Sequence, residues 1–436
     1  MPHPNLLSIP NITQALLKGD INPVKYLSEL EEVYKTKEPD VRAFIPEDLR
    51  FTRLLNKVTS LQVRYPKPEE RPRLYCLPIG VKDIFHVDGF LTKAGSQLPA
   101  GRLTDIEAKC VSKLKNLGVL IVGKTVTTEF AYFAPGPTRN PHNLQHTPGG
   151  SSSGSAAAVA SGLLSFAFGS QTIGSIIRPA SYCGVFGFKP TYNRISKEGV
   201  IPLSPSVDTI GYFTPDASSA RYMAEVLCSG WRSTQPVKSK PVLGIPHGPY
   251  LEQATTEMLI HFQQVCEILK LMGYQVKKVT AMQDFNEIYD RHNLIVAAEA
   301  AAVHNSWFDE FQKLYHPKTR ELITRGQNIK EKEYHLALTG CEKLRGELLE
   351  QMEREEIDLW LSPPARDAAP YGIESTGDPV MNLPWTHCGF PTVNIPARVN
   401  EKGLPMGLQV SAAWNQDESL LDWSLDIEKS LKQNGK

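Results

Sequence analysis

Two serines set among glycines are the residues of this chain best suited to chemistry. The first lies in Gly149-Gly150-Ser151-Ser152-Ser153-Gly154-Ser155. The second lies in Gln171-Thr172-Ile173-Gly174-Ser175-Ile176-Ile177-Arg178-Pro179, and Ser151 and Ser175 are 24 positions apart. Glycine lets a backbone approach a reacting group closely and aim its N–H groups at it. Two hydroxyls so placed point to a hydrolase with a relay rather than a lone nucleophile. A Gly/Ser cluster is otherwise read as a flexible linker. This one runs straight into the small-residue run Ala156–Leu164, so its serines sit at a helix N-terminus. Capping accounts for one serine there but not for the second glycine-flanked serine downstream. Lys82 is the third candidate, because it follows the apolar run Leu77–Val81. That places it at the C-terminal end of a strand, where ligands of α/β sheets gather. Taken alone, it would read as a surface lysine paired with Asp83.

Three further patterns lead elsewhere. Gly118 to Thr125 matches G-x4-G-K-T, yet its four variable positions read as a buried strand whose N–H groups are committed to a sheet, so no phosphate loop is expected. Gly150 to Gly154 matches G-x-S-x-G but lacks the apolar strand that a nucleophile elbow needs before it. His142 and His146 have helical zinc spacing, but Pro141 and Pro148 flank them, and loop histidines bonded to backbone are the better reading.

The positioning elements alternate between strand and helix, which favours an α/β layered architecture. Residues 11–35 read as an amphipathic helix broken near Gly19-Asp20, with Asn11 and Asn22 as caps. Strands are expected at 41–45, 77–81, 119–122, 210–213, 241–245, 274–279, 358–362, 392–395 and 408–411, and helices at 106–117, 156–164 and 257–272. Residues 64–73 and 135–148 read as loops, 230–240 as a linker, and 284–356 as a helical, charge-rich solvated face. A Gly/Pro loop runs from 362 to Trp385.

Composition narrows the classes. The chain has 436 residues, 41% hydrophobic and 22% charged, with 47 basic and 47 acidic side chains. It lacks the basic excess of a nucleic-acid binder. The longest nearly apolar stretch, Ala156 to Phe168, falls short of the roughly 20 residues that cross a bilayer, and no secretory signal is read at the N-terminus. Seven cysteines are scattered without a CxxC pair, so neither disulfides nor a zinc framework is expected, and a cytoplasmic location fits.

Together these residues resemble the amidase signature family. The resemblance rests on the GGSSxGS segment at Gly149–Ser155, the TxGSxxxPA segment from Thr172 to Ala180, and CGxxGxKPT from Cys183 to Thr191. Gly80-Val81-Lys82-Asp83, the segment from Gly123 to Phe130, Thr138 to Pro141, and Gly377-Asp378-Pro379 also match, so it covers nearly the whole chain. It implies a large mixed β-sheet sandwiched between helices, formed by residues 1–436 as one domain. Within it, 1–60 is an N-terminal helical part, 70–215 the core with the catalytic motifs, and 240–436 a C-terminal part with a helical substrate-side region at about 284–356. It implies a Ser-Ser-Lys triad: Ser175 attacks the amide carbonyl, Ser151, after a cis Gly150–Ser151 bond, relays the proton, and Lys82 is the base. The N–H groups around Thr172, Ile173 and Gly174 would form the oxyanion hole. No cofactor is implied.

The resemblance sets conditions. A free lysine has a pKa of about 10.4, so roughly one in 2,500 is neutral at pH 7; burial must lower it. Asp83 would oppose this unless strand alternation turns it away from Lys82. The common family version reads D-T-G-G-S-I-R, whereas here Gln171, Ile173 and Ile177 replace the acid, a glycine and the arginine. Ile173 then needs a negative φ. Arg178 resembles the arginine of the malonamidase-type branch, where its fork would suit a substrate carboxylate; a structural salt bridge is the alternative. Thr128, Asn382, Trp385 and Thr386 are candidates for the substrate pocket, with packing around a Gly/Pro loop as the other account. The expected activity is hydrolysis of a small, carboxylate-bearing or neutral amide by a cofactor-free enzyme. The expected partner is that small molecule, with no nucleic acid and no membrane, and a homodimer stays open. The alternatives are the glutaminase subunit of a tRNA-dependent amidotransferase, with partner subunits, and a non-catalytic binding protein on the same scaffold.

Overall fold

The computed structural model describes residues 8–232 and 239–434. Ten strands form one mixed sheet: β1 (Pro78–Lys82), β2 (Leu120–Thr125), β3 (Phe166–Gln171), β4 (Phe186–Lys189), β5 (Thr209–Thr214), β6 (Leu243–His247), β7 (Val276–Thr280), β8 (Leu359–Ser362), β9 (Thr392–Val399) and β10 (Pro405–Ala412). Their order across the sheet is β2-β1-β3-β5-β4-β9-β10-β8-β6-β7. β1 runs parallel to both β2 and β3, and the centre from β3 to β8 is antiparallel. β1 to β5 are buried along their whole length, which matches helices covering both faces of a sheet.

The parallel β1–β3 pairing fixes what chemistry can meet. Val81 lies beside Phe168, so Lys82 at the end of β1 and Ser170 near the end of β3 share one edge of the sheet. The helix Ser153–Ala160 enters β3 and packs tightly: a Cβ on Gly154 would come 2.2 Å from the Ala43 carbonyl oxygen and 2.4 Å from Val126 N. Small residues let this helix lie against backbone, and a bulkier chain could not occupy the same place.

Several expectations are corrected. The first helix is Ile9–Lys18 with Ser8 in the N-cap position, so Asn11 is inside it, whereas Asn22 does cap the second helix, Pro23–Val41, through Val24 N and Lys25 N. No strand forms at 41–45: Val41 ends the helix and Phe44 makes only an isolated bridge to Thr125. The helices expected at 106–117 and 156–164 are Lys109–Asn116 and Ser153–Ala160. β3 and β4 were not expected, because glycine and serine interrupt β3 and β4 is four residues long. The linker expected at 230–240 lies partly outside the described residues. The stretch 284–356 is helical as expected, in Phe285–Phe311, Pro317–Gln327 and Glu331–Arg354, but it is not only a solvated face: His292, Ile295, Ala297, Ala300 and His304 are buried.

Candidate active site

Lys82 is fully buried, and its Nζ lies 2.7 Å from Ser151 Oγ and 2.8 Å from Ser170 Oγ. Burial pushes its pKa down to about 7, against the pull of the Asp208 carboxylate. An uncharged amine has one lone pair and two N–H groups, so it can accept the Ser151 proton while donating to Ser170. Asp83 faces away, as strand alternation requires, and pairs with Lys124 at 2.8 Å. The Gly150–Ser151 peptide bond is cis. Thr128 lies alongside: its N–H donates to the Ser151 carbonyl at 3.2 Å, and its buried Oγ1 has no partner.

Ser175 lies after β3, just before the buried helix Ile177–Cys183. It lines a small cleft with Tyr132, Phe133, Ile173, Leu203 and Pro379. Among the described residues, no hydrogen bond takes up the N–H groups of Thr172, Ile173, Gly174 or Ser175. Their carbonyls are taken from outside: Thr172 O accepts from His292 Nε2 at 3.0 Å, Ile173 O from Thr386 Oγ1 at 2.7 Å, and Gly174 O from Arg178 N at 3.1 Å. Ile173 has no left-handed φ, which meets the requirement of a β-branched side chain. Next to this cleft, and sharing Ala131, Thr172 and Leu203 with it, lies a second cavity of about 230 Å³ with Ser170 and Asp208 in its wall. Thr172 Oγ1 donates to Asp208 Oδ1 at 2.5 Å.

The remaining candidates divide. Arg178 is buried and its guanidinium is turned onto the protein: Nη2 donates to Gly150 O at 2.6 Å and Thr376 Oγ1 at 3.2 Å, and Nη1 to Gly377 O at 2.9 Å. Its Nε has no partner. Asn382 is anchored by Nδ2 to Pro364 O and Gln409 Oε1, both at 2.8 Å, and its Oδ1, buried without a partner, faces Gly174. Trp385 is corrected: its Nε1 donates to Tyr250 Oη at 2.9 Å, and it packs in the core with Trp360 rather than in the cleft. His142 and His146 bond to the carbonyls of Cys183 and Ala369, as loop histidines should.

Sequence reasoning missed Ser170 and His292. Ser170 carries no local marker except its place one residue before Gln171, and His292 meets Thr172 across 120 positions. No helix among the described residues is long and apolar enough to cross a membrane.

Comparison with known proteins gives a consistent set. The family described as Amidase matches residues 45–421. A glutamyl-tRNA(Gln) amidotransferase subunit from Desulforapulum autotrophicum is 28% identical over 97% of both chains. A crystallised amidase is 31% identical, with a TM-score of 0.88 over 98% of this chain and 100% of its own. The peptide amidase of Stenotrophomonas maltophilia, 21% identical with a TM-score of 0.81 over 98% and 97%, shares the fold. So does the corresponding glutamyl-tRNA(Gln) amidotransferase subunit from Thermotoga maritima, 24% identical with a TM-score of 0.75 over 95% and 92%.

Proposed function

The chain belongs to the Amidase family, and from that premise we propose that it hydrolyses an amide C–N bond through an acyl-enzyme on Ser175. Ser175 Oγ attacks the carbonyl carbon and passes its proton to Ser151, whose own proton goes to Lys82 Nζ. The N–H groups of Thr172, Ile173 and Gly174 hold the oxygen as it becomes negative. The proton then returns through Ser151 to the leaving nitrogen, which departs as ammonia or an amine. Water attacks the ester by the same route and frees the acid and Ser175. The observation that carries this reading is the buried 2.7 Å contact of Lys82 with Ser151, made by an amine whose pKa has fallen to about 7.

The cleft favours a small amide with an apolar acyl group. Ala131, Tyr132, Phe133, Leu203 and Pro379 give it aromatic and aliphatic walls, and among the described residues that line it Arg178 is charged and none is a carboxylate, so a bound ammonium group would go unpaired at a cost. Beside the backbone N–H groups, Arg178 in the wall and Thr128 alongside Ser151 have buried polar atoms, Nε and Oγ1, without partners. Three of the five guanidinium N–H groups of Arg178 are spent on the protein, both of those on Nη2 among them, so neither face that pairs Nη2 with Nε or with Nη1 is free as a two-pronged carboxylate fork. A second reading, the glutaminase subunit of a tRNA-dependent amidotransferase with protein partners, is favoured by the full-length match to the Desulforapulum autotrophicum protein.

A fluorophosphonate probe tests the chemistry. Labelling is expected on Ser175 and lost in Ser175→Ala; an unlabelled wild type overturns the reading in favour of a binding protein. Ammonia release from simple carboxamides by the purified chain alone, well above that from L-glutamine, fits the apolar cleft. Turnover of glutamine alone, and only with co-purified proteins, fits the second reading.

A further inference from the structure

We propose that His292 and the Gln171–Thr386 pair are positioning residues that aim the N–H groups of Ile173 and Gly174 at the substrate oxygen. The inference rests on the reading of Ser175 as the nucleophile. In a trans peptide the C=O of one residue and the N–H of the next point in opposite directions. The peptides joining Thr172 to Ile173 and Ile173 to Gly174 are trans. Holding each carbonyl from one side therefore turns the following N–H to the other. The donors on those carbonyls are His292 Nε2 at 3.0 Å and Thr386 Oγ1 at 2.7 Å. Neither residue lines the cleft, whereas Thr172, Ile173, Gly174 and Ser175 all do.

The proton inventory is consistent. A carbonyl oxygen only accepts, so His292 Nε2 carries a hydrogen and its Nδ1 keeps the lone pair, turned to His387 Nδ1 at 3.3 Å. Burial holds the His292 pKa down, at about 4, so the ring stays neutral around pH 7. Thr386 has one proton to give, and of the two carbonyls within its reach, Ile173 O at 2.7 Å and Asn382 O at 3.3 Å, the nearer one takes it. Its oxygen accepts from Gln171 Nε2 at 2.9 Å, while Gln171 Oε1 accepts from the N–H groups of Ile176 and Ile177 at 2.8 and 3.0 Å. Only a carboxamide at 171 can accept from the backbone and donate to Thr386 at once; a carboxylate there has no N–H to give. The glutamine that departs from the common acidic version is thus matched to the threonine 215 positions away. The result is two fixed N–H groups with nothing to bond until a substrate oxygen arrives, which is the preorganisation that favours a developing negative charge.

Rates of fluorophosphonate labelling at Ser175, measured over a range of probe concentrations, test this without knowledge of the natural substrate. His292→Phe and Thr386→Val should each lower the limiting labelling rate on the order of 10-fold, less than the 10²–10³ for outright loss of a donor, with half-saturation unchanged. His292→Gln and Thr386→Ser, which keep a donor, should restore most of that rate. Wild-type rates in the Phe and Val variants, or equally slow rates in the Gln and Ser variants, overturn the proposal. If His292→Phe does not fold, the Thr386 pair decides. Failure of the wild type to label at all removes the Ser175 reading and this inference with it, whereas a labelled wild type with insensitive variants removes only the inference.

Discussion

Lys82 sets the pH dependence expected of the site. Its amine is uncharged only above about pH 7, so the labelling rate of Ser175 should rise with pH through about 7 and level off. Lys82→Met should remove that limb and lower the rate by about 10²–10⁴, the usual worth of a general base. The same shift predicts stability. An unfolded lysine takes its proton below about 10.4, but the folded one only below about 7. Between these values the unfolded chain binds the extra proton, so stability rises with pH across that window, and below it the full penalty applies. Lys82→Met carries no such penalty. It should melt above the wild type at pH 7, with the gap closing towards pH 10; thermal melts at pH 7, 8.5 and 10 check this, and a gap independent of pH would refute it. Lys82, Ser151 and Ser175 stand out in the sequence as candidates because glycines and a strand end mark them locally, and the structure places Lys82 against Ser151. Ser170 and His292 do not: a lone serine becomes a neighbour of Lys82 only through the register of β1 on β3, and a histidine on a distant helix shows no sign of the carbonyl it meets. Trp385 was misplaced because nearness in sequence to the Gly377-Asp378-Pro379 loop does not fix direction, and the short helix Leu383–His387 turns the ring towards Tyr250.

At the scale of elements, the helix Ser153–Ala160 sets how close the Ser151 segment can come to Lys82. Its closeness depends on Gly154, where an added Cβ would run into two backbone groups that cannot swing aside, Ala43 O and Val126 N. Gly154→Ala should therefore cost about 1–3 kcal/mol or somewhat more, as overpacking does, and should slow labelling by shifting Ser151. Gly101→Ala, in a short turn where nothing lies within 4 Å of the new carbon, should stay within about 0.5 kcal/mol of the wild type, as unconstrained surface changes do. Urea denaturation of both variants checks the contrast, and equal losses would refute the packing account. The small-residue helix was readable in the sequence, but its strand partner was not. Phe166-Ala167-Phe168-Gly169-Ser170-Gln171 has too few branched residues to read as a central strand, and it is one because β1 and β5 supply hydrogen bonds on both sides. The charge-rich stretch 284–356 was read from its polar outer faces. The buried stripe that carries His292 is diluted there by alanines, which pack without announcing a core.

For the whole molecule, the sheet decides whether the two halves act together. Lys82, Ser151 and Ser175 belong to the first half, but the groups bracing them come from the second: Thr386 on Ile173 O, His292 on Thr172 O, and Gly377 O on Arg178. The halves are joined where β4 pairs with β9, in a register running from Gly187–Asn394 to Lys189–Thr392, with no unpaired edge between them. One continuous sheet with shared site contacts should unfold as one cooperative unit. The sequence supplies reporters for each side. All six tryptophans lie at position 231 or beyond, whereas Cys76, Cys110 and Cys183 are buried in the first half. Tryptophan fluorescence and peptide-mapped alkylation of these three thiols, followed along one urea series, should therefore give the same midpoint. Thiols that become reactive only at a clearly higher urea concentration than the fluorescence change would mean that the strands carrying Lys82 and Ser170 hold together without their partner half. The braces on the Thr172 and Ile173 carbonyls would then be dispensable for the fold of the site, though not for the aim of its N–H groups.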